Sequence, residues 1–512
     1  MNLEKTSIFQ IPVSPGLVLP GKDTLLLPEK VLQFGTGVLL RALPDFIINN
    51  ANNKGVFNGR IVMVKSTTNG SADSFEKQDG LYSVCVRGIA EGRKVEETHI
   101  IASISRVLSA STEWNKILEC ASNPEMQVII SNTTEVGIVL VKDNIHADPP
   151  QSFPGKLLSF LYHRFKYFKG DPGKGMVIIP TELVPLNGEK LLSIILELAH
   201  INNLEGAFLD WLENSNYFCN SLVDRIVPGK LNEADHKKME EKIGYKDDLL
   251  IMSEVYSLWA IQSGNEKVKK ILSFAINGNG VVIAPDINKF RELKLRLLNA
   301  PHTFSCGIAY LAGFDTVKKG MDNTDFSTYL KELMFEEIIP SVIDDYITLS
   351  EAEAFANTVL DRYRNSFIEH SWLSITLQYS TKMYLRNIAL IENYTSRFGQ
   401  APVYMAVGMA GHILFMHVSK NGDGNYYGEI NGEKYEVKDD NAKYYAKAWK
   451  ENQPDALVNK ILSDRIMWGS DLTLLNGFEM EVAGWLKIMM EKGILFALKE
   501  AAKKKSELVN EK

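Results

Sequence analysis

Val31-Leu32-Gln33-Phe34-Gly35-Thr36-Gly37-Val38-Leu39-Leu40-Arg41-Ala42 is the stretch that decides how this chain folds. An apolar run fit for a buried strand leads into Gly-Thr-Gly, and an amphipathic pattern continuing through Phe46 and Ile47 predicts a helix after it. Two glycines there let the backbone turn tightly and approach a pyrophosphate, whose charge lies against the N–H groups opening the helix. The third glycine of the usual fingerprint is replaced by Leu40, so the position of the pair between strand and helix carries the signal. Further along, Arg60 to Lys65 (RIVMVK), Val128 to Ser131 (VIIS) and Met176 to Pro180 (MVIIP) are apolar on both faces. That is the composition of parallel strands covered on both sides. The expectation is an α/β chain whose residues 1–279 form a doubly wound, Rossmann-like domain.

From residue 280 to 512 the texture changes. Phe326 to Tyr346, Glu351 to Arg364 and Glu479 to Lys503 carry apolar residues three and four apart with charges between them, which predicts a mainly α-helical second domain. Near 421–440, Asn431-Gly432 between two short polar-aromatic arms predicts a surface hairpin. The first twenty residues, with Pro12, Pro15 and Pro20, read as an irregular lead-in. Of 512 residues, 45% are hydrophobic and 23% charged, enough apolar mass for about two to four packed domains. The net charge of -7 offers no positive excess to draw the chain onto nucleic acid, which is not an expected partner. Cys85, Cys120, Cys219 and Cys306 are far apart and form no CxxC pair, so reduced thiols in a cytoplasmic protein are expected. Pro402 to Met416 is too short and too interrupted to span a bilayer, so no membrane association is expected.

The nucleotide cradle is expected at Gln33, Phe34, Gly35, Thr36, Gly37, Val38, Leu39 and Arg41. The second strand ends in Lys65-Ser66-Thr67-Thr68 where an NAD site would place an acid on the ribose. Lys65 can meet a 2′-phosphate and favour NADP, or it can be a solvated strand end. Asn132 and Thr133, in the cluster Ser131 to Glu135, either line the nicotinamide half or belong to an ordinary polar loop.

Lys294-Leu295-Arg296-Leu297-Leu298-Asn299-Ala300-Pro301-His302 carries the chemistry. On an ideal α-helix Lys294, Asn299 and His302 fall within an arc of about 140°, with Pro301 disturbing the rod. Carbonyl reduction needs a proton for the oxygen and donors that hold it as it becomes negative. A lysine, an amide and an imidazole on one face supply these, although the same residues also suit a solvated helix face with one satisfied histidine.

These motifs in this order, together with Gln78-Asp79-Gly80-Leu81-Tyr82 and Asn220-Ser221-Leu222-Val223-Asp224-Arg225-Ile226, resemble the long-chain mannitol dehydrogenase family over about Val31 to Lys382. The resemblance implies hydride transfer between a nicotinamide and a sugar-derived hydroxyl without a metal, with Lys294 as general acid-base beside Asn299 and His302. Asn132-Thr133-Thr134-Glu135, Asn187-Gly188 and Arg364-Asn365 with His370 resemble a branch that interconverts keto-hexuronates and aldonates with NAD(H). The expected cofactor is therefore NAD, with NADP open because of Lys65, and the expected partner is a small sugar acid. Polyol-oxidising members carry Cys-Asp-Asn after the strand matching Met176 to Pro180, whereas this chain has Thr181-Glu182-Leu183. The oxyanion amide is thus absent, and Asn187 is a possible substitute. Their Asp, Arg and Lys that grip the sugar correspond to His370, Ser374 and Lys382. The resemblance then implies substrate contacts at Asn187, Asp224, Arg364 and Lys382, the last two meeting a carboxylate unless they are merely solvated. A nucleotide-sensing protein without catalysis would not need the Lys294, Asn299 and His302 set.

Overall fold

Six parallel strands lie in the spatial order Ile104–Ser109, Arg60–Lys65, Glu29–Phe34, Val128–Ser131, Val177–Pro180 and Tyr217–Phe218. Numbered along the chain this is 3-2-1-4-5-6, the order of a dinucleotide-binding sheet. The direction of winding reverses between Glu29–Phe34 and Val128–Ser131, which opens a crevice at the carboxyl ends of those two strands. The computed structural model describes residues 1–65, 72–133, 137–276, 278 and 280–510.

Successive side chains of each strand enter different cores. Leu32, Phe34, Val62, Val64, Ile129 and Ile178 pack under the helices Phe153–Tyr167, Asn187–Ile201 and Gly206–Ser215. Val31, Ile61, Met63, Val128, Ile130 and Val177 pack with Ile47, Ile48 and Ala51 of the helix Pro44–Asn53. Full burial of each such side chain contributes roughly 1.5–3 kcal/mol, which is why both faces of the strands read as apolar. The α/β reading of this half is thereby borne out. On the second face, however, two further sheets share the covering with the helix. One has the order Leu17–Val18, Arg93–Ile101, Tyr82–Ala90, Ile251–Ser253, and the other Ser221–Asp224, Leu258–Gln262, Val281–Ala284. The lead-in thus contains a short strand, Leu17–Val18, parallel to Thr98 and His99.

Two compact units make up the chain, 1–88 with 94–287 and 89–93 with 288–512. The boundary expected after residue 279 falls after Ile287, because Val281–Ala284 pairs in parallel with Trp259 to Gln262. The helix predicted from Val38 through Ile47 is two helices, Val38–Ala42 and Pro44–Asn53. Pro44 has no N–H to continue the first, and Leu43 leaves helical geometry at φ -121 and ψ -79.

The second unit is helical, as its apolar spacing predicted. Helix Val403–Phe415, buried along almost its whole length, packs on Ala300–Leu311. A Cβ at Gly408 would stand 2.5 Å from Phe304 and one at Gly411 2.3 Å from Ile308, so these two glycines set the approach. Among the described residues no helix is long and apolar enough to cross a membrane. The predicted run Phe326 to Tyr346 leaves the helix at Ile343, which is extended, and Leu349–Tyr363 begins after a Thr348–Glu351 capping box. Glu479 to Lys503 is two helices, Phe478–Lys492 and Ile494–Asn510, parted at Gly493 with φ +84. Ser419–Lys420, Tyr426–Ile430 and Glu433–Glu436 form an antiparallel sheet whose turn holds Asn431 and Gly432 at φ +51 and +83.

Candidate active site

At the sheet crevice the chain turns at Gly35, whose φ is +125. A Cβ there would lie 2.9 Å from Leu40 Cδ1 and 3.0 Å from the Asn132 carbonyl oxygen, so only glycine fits between the two strand ends. Gly37 caps the helix Val38–Ala42, and a Cβ on it would meet nothing within 4 Å. The first glycine permits the turn, while the second leaves open space over backbone N–H groups. A pyrophosphate fits that cradle. Thr36, Val38 and Leu39 are half-buried around it.

Gln33 and Phe34 hold the turn from below and are fully buried. The Phe34 ring meets Phe153 edge-on, and its carbonyl accepts from Asn132 N at 3.1 Å. Gln33 Nε2 donates to the Gly35 carbonyl at 3.3 Å and to Asp45 Oδ2 at 3.4 Å. The Tyr82 hydroxyl lies 3.1 Å from the same carboxylate oxygen and 3.0 Å from the Arg41 carbonyl. Burial pushes Asp45 up to about 7, against the lowering by Tyr82, Gln33 and Arg41. Arg41 is corrected as a cofactor contact. Its guanidinium donates to the Leu249 carbonyl at 2.8 Å and lies over the Tyr82 and Phe75 rings, facing the interior.

Lys65 closes its strand and is 8% exposed, while Ser66, Thr67 and Thr68, like Thr134 and Glu135, lie outside the described residues. Asn132 Nδ2 donates to Thr181 Oγ1 at 3.0 Å, and the N–H and hydroxyl of Thr133 donate to Glu182 Oε1 at 2.8 and 3.0 Å. Glu182, buried and with its pKa raised by that burial, therefore ties two strand ends of the crevice together. Its place in the departure Thr181-Glu182-Leu183 was the available signal for that role.

Asn187 is corrected as a substrate contact. Its amide donates to the carbonyls of Pro180, Glu182 and Ser221 and accepts from Ser221 N at 2.8 Å, so its bonding capacity is used within the fold. Asn220 reciprocates by accepting from Gly188 N and Glu189 N, which caps the helix Asn187–Ile201. Asp224 ends the strand Ser221–Asp224 opposite Leu258 and is 7% exposed.

In the helical unit Lys294–Asn299 is a π-helix, followed by the α-helix Ala300–Leu311. The ideal α-helix assumed for this segment is therefore corrected. Pro301 cannot donate to residue 297, and the widened turn accommodates the loss. An α-helix separates positions five apart by about 140°, whereas a π turn closes its bond between those positions and brings Lys294 and Asn299 toward one side. Both residues are half-buried. His302 is buried with its ring stacked on Tyr363, centroids 4.2 Å apart, and edge-on to His370 and Trp372 at 5.4 and 5.8 Å. Burial, then the charges of His370, Arg362 and Arg386, push its pKa well below the usual imidazole range, and its Nε2 has no hydrogen-bond partner among the described residues. Tyr363 is itself held by a 2.7 Å bond to the Leu298 carbonyl.

Lys382 is half-buried with Nζ donating to the Ile375 carbonyl at 3.0 Å, and burial followed by the Arg386 charge lowers its pKa. Arg364 caps the helix Leu349–Tyr363 at the surface, 3.7 Å from Asp361, and Ser374 is exposed. Arg386, Thr303 and Tyr363 entered the cluster only through the fold. The spacing of four residues from Lys382 to Arg386 was the one signal available for Arg386.

A switch-point crevice over a double-glycine turn and a lysine-bearing helical unit define the class of a two-part dehydrogenase. The chain belongs to the mannitol dehydrogenase family: residues 29–272 match its Rossmann domain and 286–490 its C-terminal domain. It is an oxidoreductase acting on CH–OH groups. The altronate oxidoreductase of Halalkalibacterium halodurans is 36% identical over 92% of this chain and 93% of its own length, and that of Bacillus subtilis 35% over 92% and 95%. In fold the chain resembles the Pseudomonas fluorescens mannitol 2-dehydrogenase solved with NAD and D-mannitol, at TM-score 0.66 and 20% identity over 98% of this chain and all of that one. A D-sorbitol dehydrogenase matches at TM-score 0.78 and 20% identity over 97% and 100%.

Proposed function

We propose that this protein interconverts D-tagaturonate and D-altronate with NAD(H), in the breakdown of hexuronates. The reading rests on the altronate oxidoreductase relatives spanning 92% of the chain and on the π turn that brings Lys294 and Asn299 to one side. When bound, the nicotinamide supplies or takes up the hydride at the carbonyl carbon. Lys294 gives its proton to the carbonyl oxygen during reduction and in neutral form takes the alcohol proton during oxidation. Asn299 offers its amide to that oxygen as negative charge develops. His302 is held neutral by burial, so its free Nε2 can share a hydrogen bond with a substrate hydroxyl. NAD is preferred over NADP because the branch resemblance outweighs a single basic strand end at Lys65.

A substrate panel with NADH tests this. Turnover should be highest with D-tagaturonate, and a clear preference for fructose or for D-fructuronate would replace the substrate assignment. Equal concentrations of NADH and NADPH should favour NADH, and a clear win for NADPH would reverse the cofactor assignment. Absence of turnover with every ketose and keto acid would point instead to a nucleotide-binding protein.

A further inference from the structure

A sugar acid brings a carboxylate into the site, and the helical unit holds two cations suited to it that no carboxylate among the described residues answers. Lys382 and Arg386 stand four residues apart where the α-helix Tyr379–Met383 passes into the π-helix Tyr384–Ile388, and both are half-buried. Arg386 Nη1 donates to Thr303 Oγ1 at 3.1 Å, and Thr303 Oγ1 donates to the Asn299 carbonyl at 2.9 Å. Arg386 is therefore joined through one hydroxyl to the segment bearing Lys294, Asn299 and His302. Its backbone carbonyl accepts from Arg296 Nη1 at 2.7 Å, which fixes its helix against that same segment.

The neighbouring cations behave otherwise. Arg296 is paired with Glu292 at 3.1 Å, Lys289 with Glu351 at 2.9 Å, and Arg364 faces Asp361. Burial and neighbouring cations, Arg362 among them, lower the pKa of His302, His370 and Lys382, burial lowers that of Arg386, and no carboxylate among the described residues offsets these shifts. Half-buried cations held near each other, with no counter-ion among the described residues, make a site for an anion.

We propose that Lys382 and Arg386 form the subsite for the substrate's carboxylate, Arg386 presenting its planar fork and Lys382 a point charge, and that Arg386 sets the preference for sugar acids over neutral sugars. This rests on the sugar-acid reading above. Arg364, at the surface and facing Asp361, is not part of the subsite.

The test compares kcat/KM for D-tagaturonate with that for the neutral ketose D-tagatose in wild type, Arg386→Met, Lys382→Met and Arg364→Met. Arg386→Met should lower the acid-to-neutral ratio by about 30-fold or more, chiefly through KM for the acid, with a smaller drop in Lys382→Met. Arg364→Met should keep the ratio within about twofold of wild type. An equal loss for acid and ketose in Arg386→Met, or a selective loss in Arg364→Met, overturns the proposal. Arg386→Lys keeps the charge and removes the fork, so partial recovery of the ratio separates binding from lost packing, and none at an unchanged Tm counts against the subsite. If wild type turns over no keto acid, the sugar-acid reading fails by itself. Calorimetry with D-altronate against the matching polyol then decides the subsite, which stands if Arg386→Met abolishes a preference for the acid and falls if wild type shows none.

Discussion

Replacing Asp45 by Asn should make the protein's stability less dependent on pH by a predictable amount. The carboxyl lies fully buried beneath the glycine turn, and its pKa is pushed up from an ordinary 3.8 to about 7. Below pH 4 the folded and unfolded chains both hold this proton, so the group's contribution is then complete. Between the two pKa values the unfolded chain releases the proton while the folded chain keeps it. Stability therefore falls as pH rises, and the loss is complete once the folded carboxyl has ionised above 7. A shift of about 3 units corresponds to roughly 4 kcal/mol in all, of which roughly 3 kcal/mol falls between pH 4.5 and 8. Local bonding suits the neutral side chain. Among the described residues Asp45 Oδ1 and Gln33 Oε1 are both buried acceptors without donors, and an amide at position 45 can supply one while still accepting from Tyr82. The assay is urea unfolding of wild type and Asp45→Asn across pH 4.5–8, where other titrating groups cancel in the difference. The variant should gain about 3 kcal/mol relative to wild type over that range. A difference that stays flat with pH would show that the buried carboxyl does not carry the proton, and would refute the reasoning.

Lys294→Ala should lower kcat by about 10² to 10⁴ with little change in nicotinamide affinity, measured by steady-state kinetics and fluorescence titration of NADH. Pro301→Ala restores an N–H and lets the π turn relax toward α geometry; misplacing Lys294 against Asn299 should then cost about 10²-fold in kcat while the thermal midpoint is held or raised, and unchanged kcat would count against the π turn as the aligning device. His412 is fully buried, has no hydrogen-bond partner at either ring nitrogen among the described residues, and is pushed down to about 3 by burial. The unfolded chain gains its proton near pH 6.5 and the folded chain does not, so stability falls as pH drops below that value. His412→Leu should thus gain about 2 kcal/mol relative to wild type between pH 8 and pH 5 in denaturant titrations, and an equal pH slope in both proteins would contradict this.

How much of this was legible depended on how local each signal was. The strand Glu29–Phe34 and its glycine turn could be read directly, because an apolar run, a turn and a helix start are all set by residues within a few positions of one another. Tyr82–Ala90 and Arg93–Ile101 gave no such signal: they cover one face of the main sheet through partners as distant as Leu17 and Ile251. Arg41 and Asn187 look like ligand contacts in the sequence because a polar side chain beside a glycine turn or strand end is the same string whether it meets a cofactor or a distant carbonyl. Only Leu249 in the first case and Ser221 in the second reveal the direction.

By itself the sequence determined the α/β-then-helical architecture and the candidacy of Lys294, Asn299 and His302, since periodicity and motif spacing are properties of neighbouring residues. Tertiary structure decided their alignment, because the π turn at Lys294–Asn299 depends on Pro301 and on the helices packed around it. It also decided which cations lack a counter-ion among the described residues. Lys382 and Arg386 look like any solvated helix pair until the fold half-buries them, Arg386 on Thr303 and Lys382 on the Ile375 carbonyl, and leaves Glu292, Glu351 and Asp361 to Arg296, Lys289 and Arg364. Charge pairing is set by distance in space, and for these residues that distance is unrelated to separation along the chain.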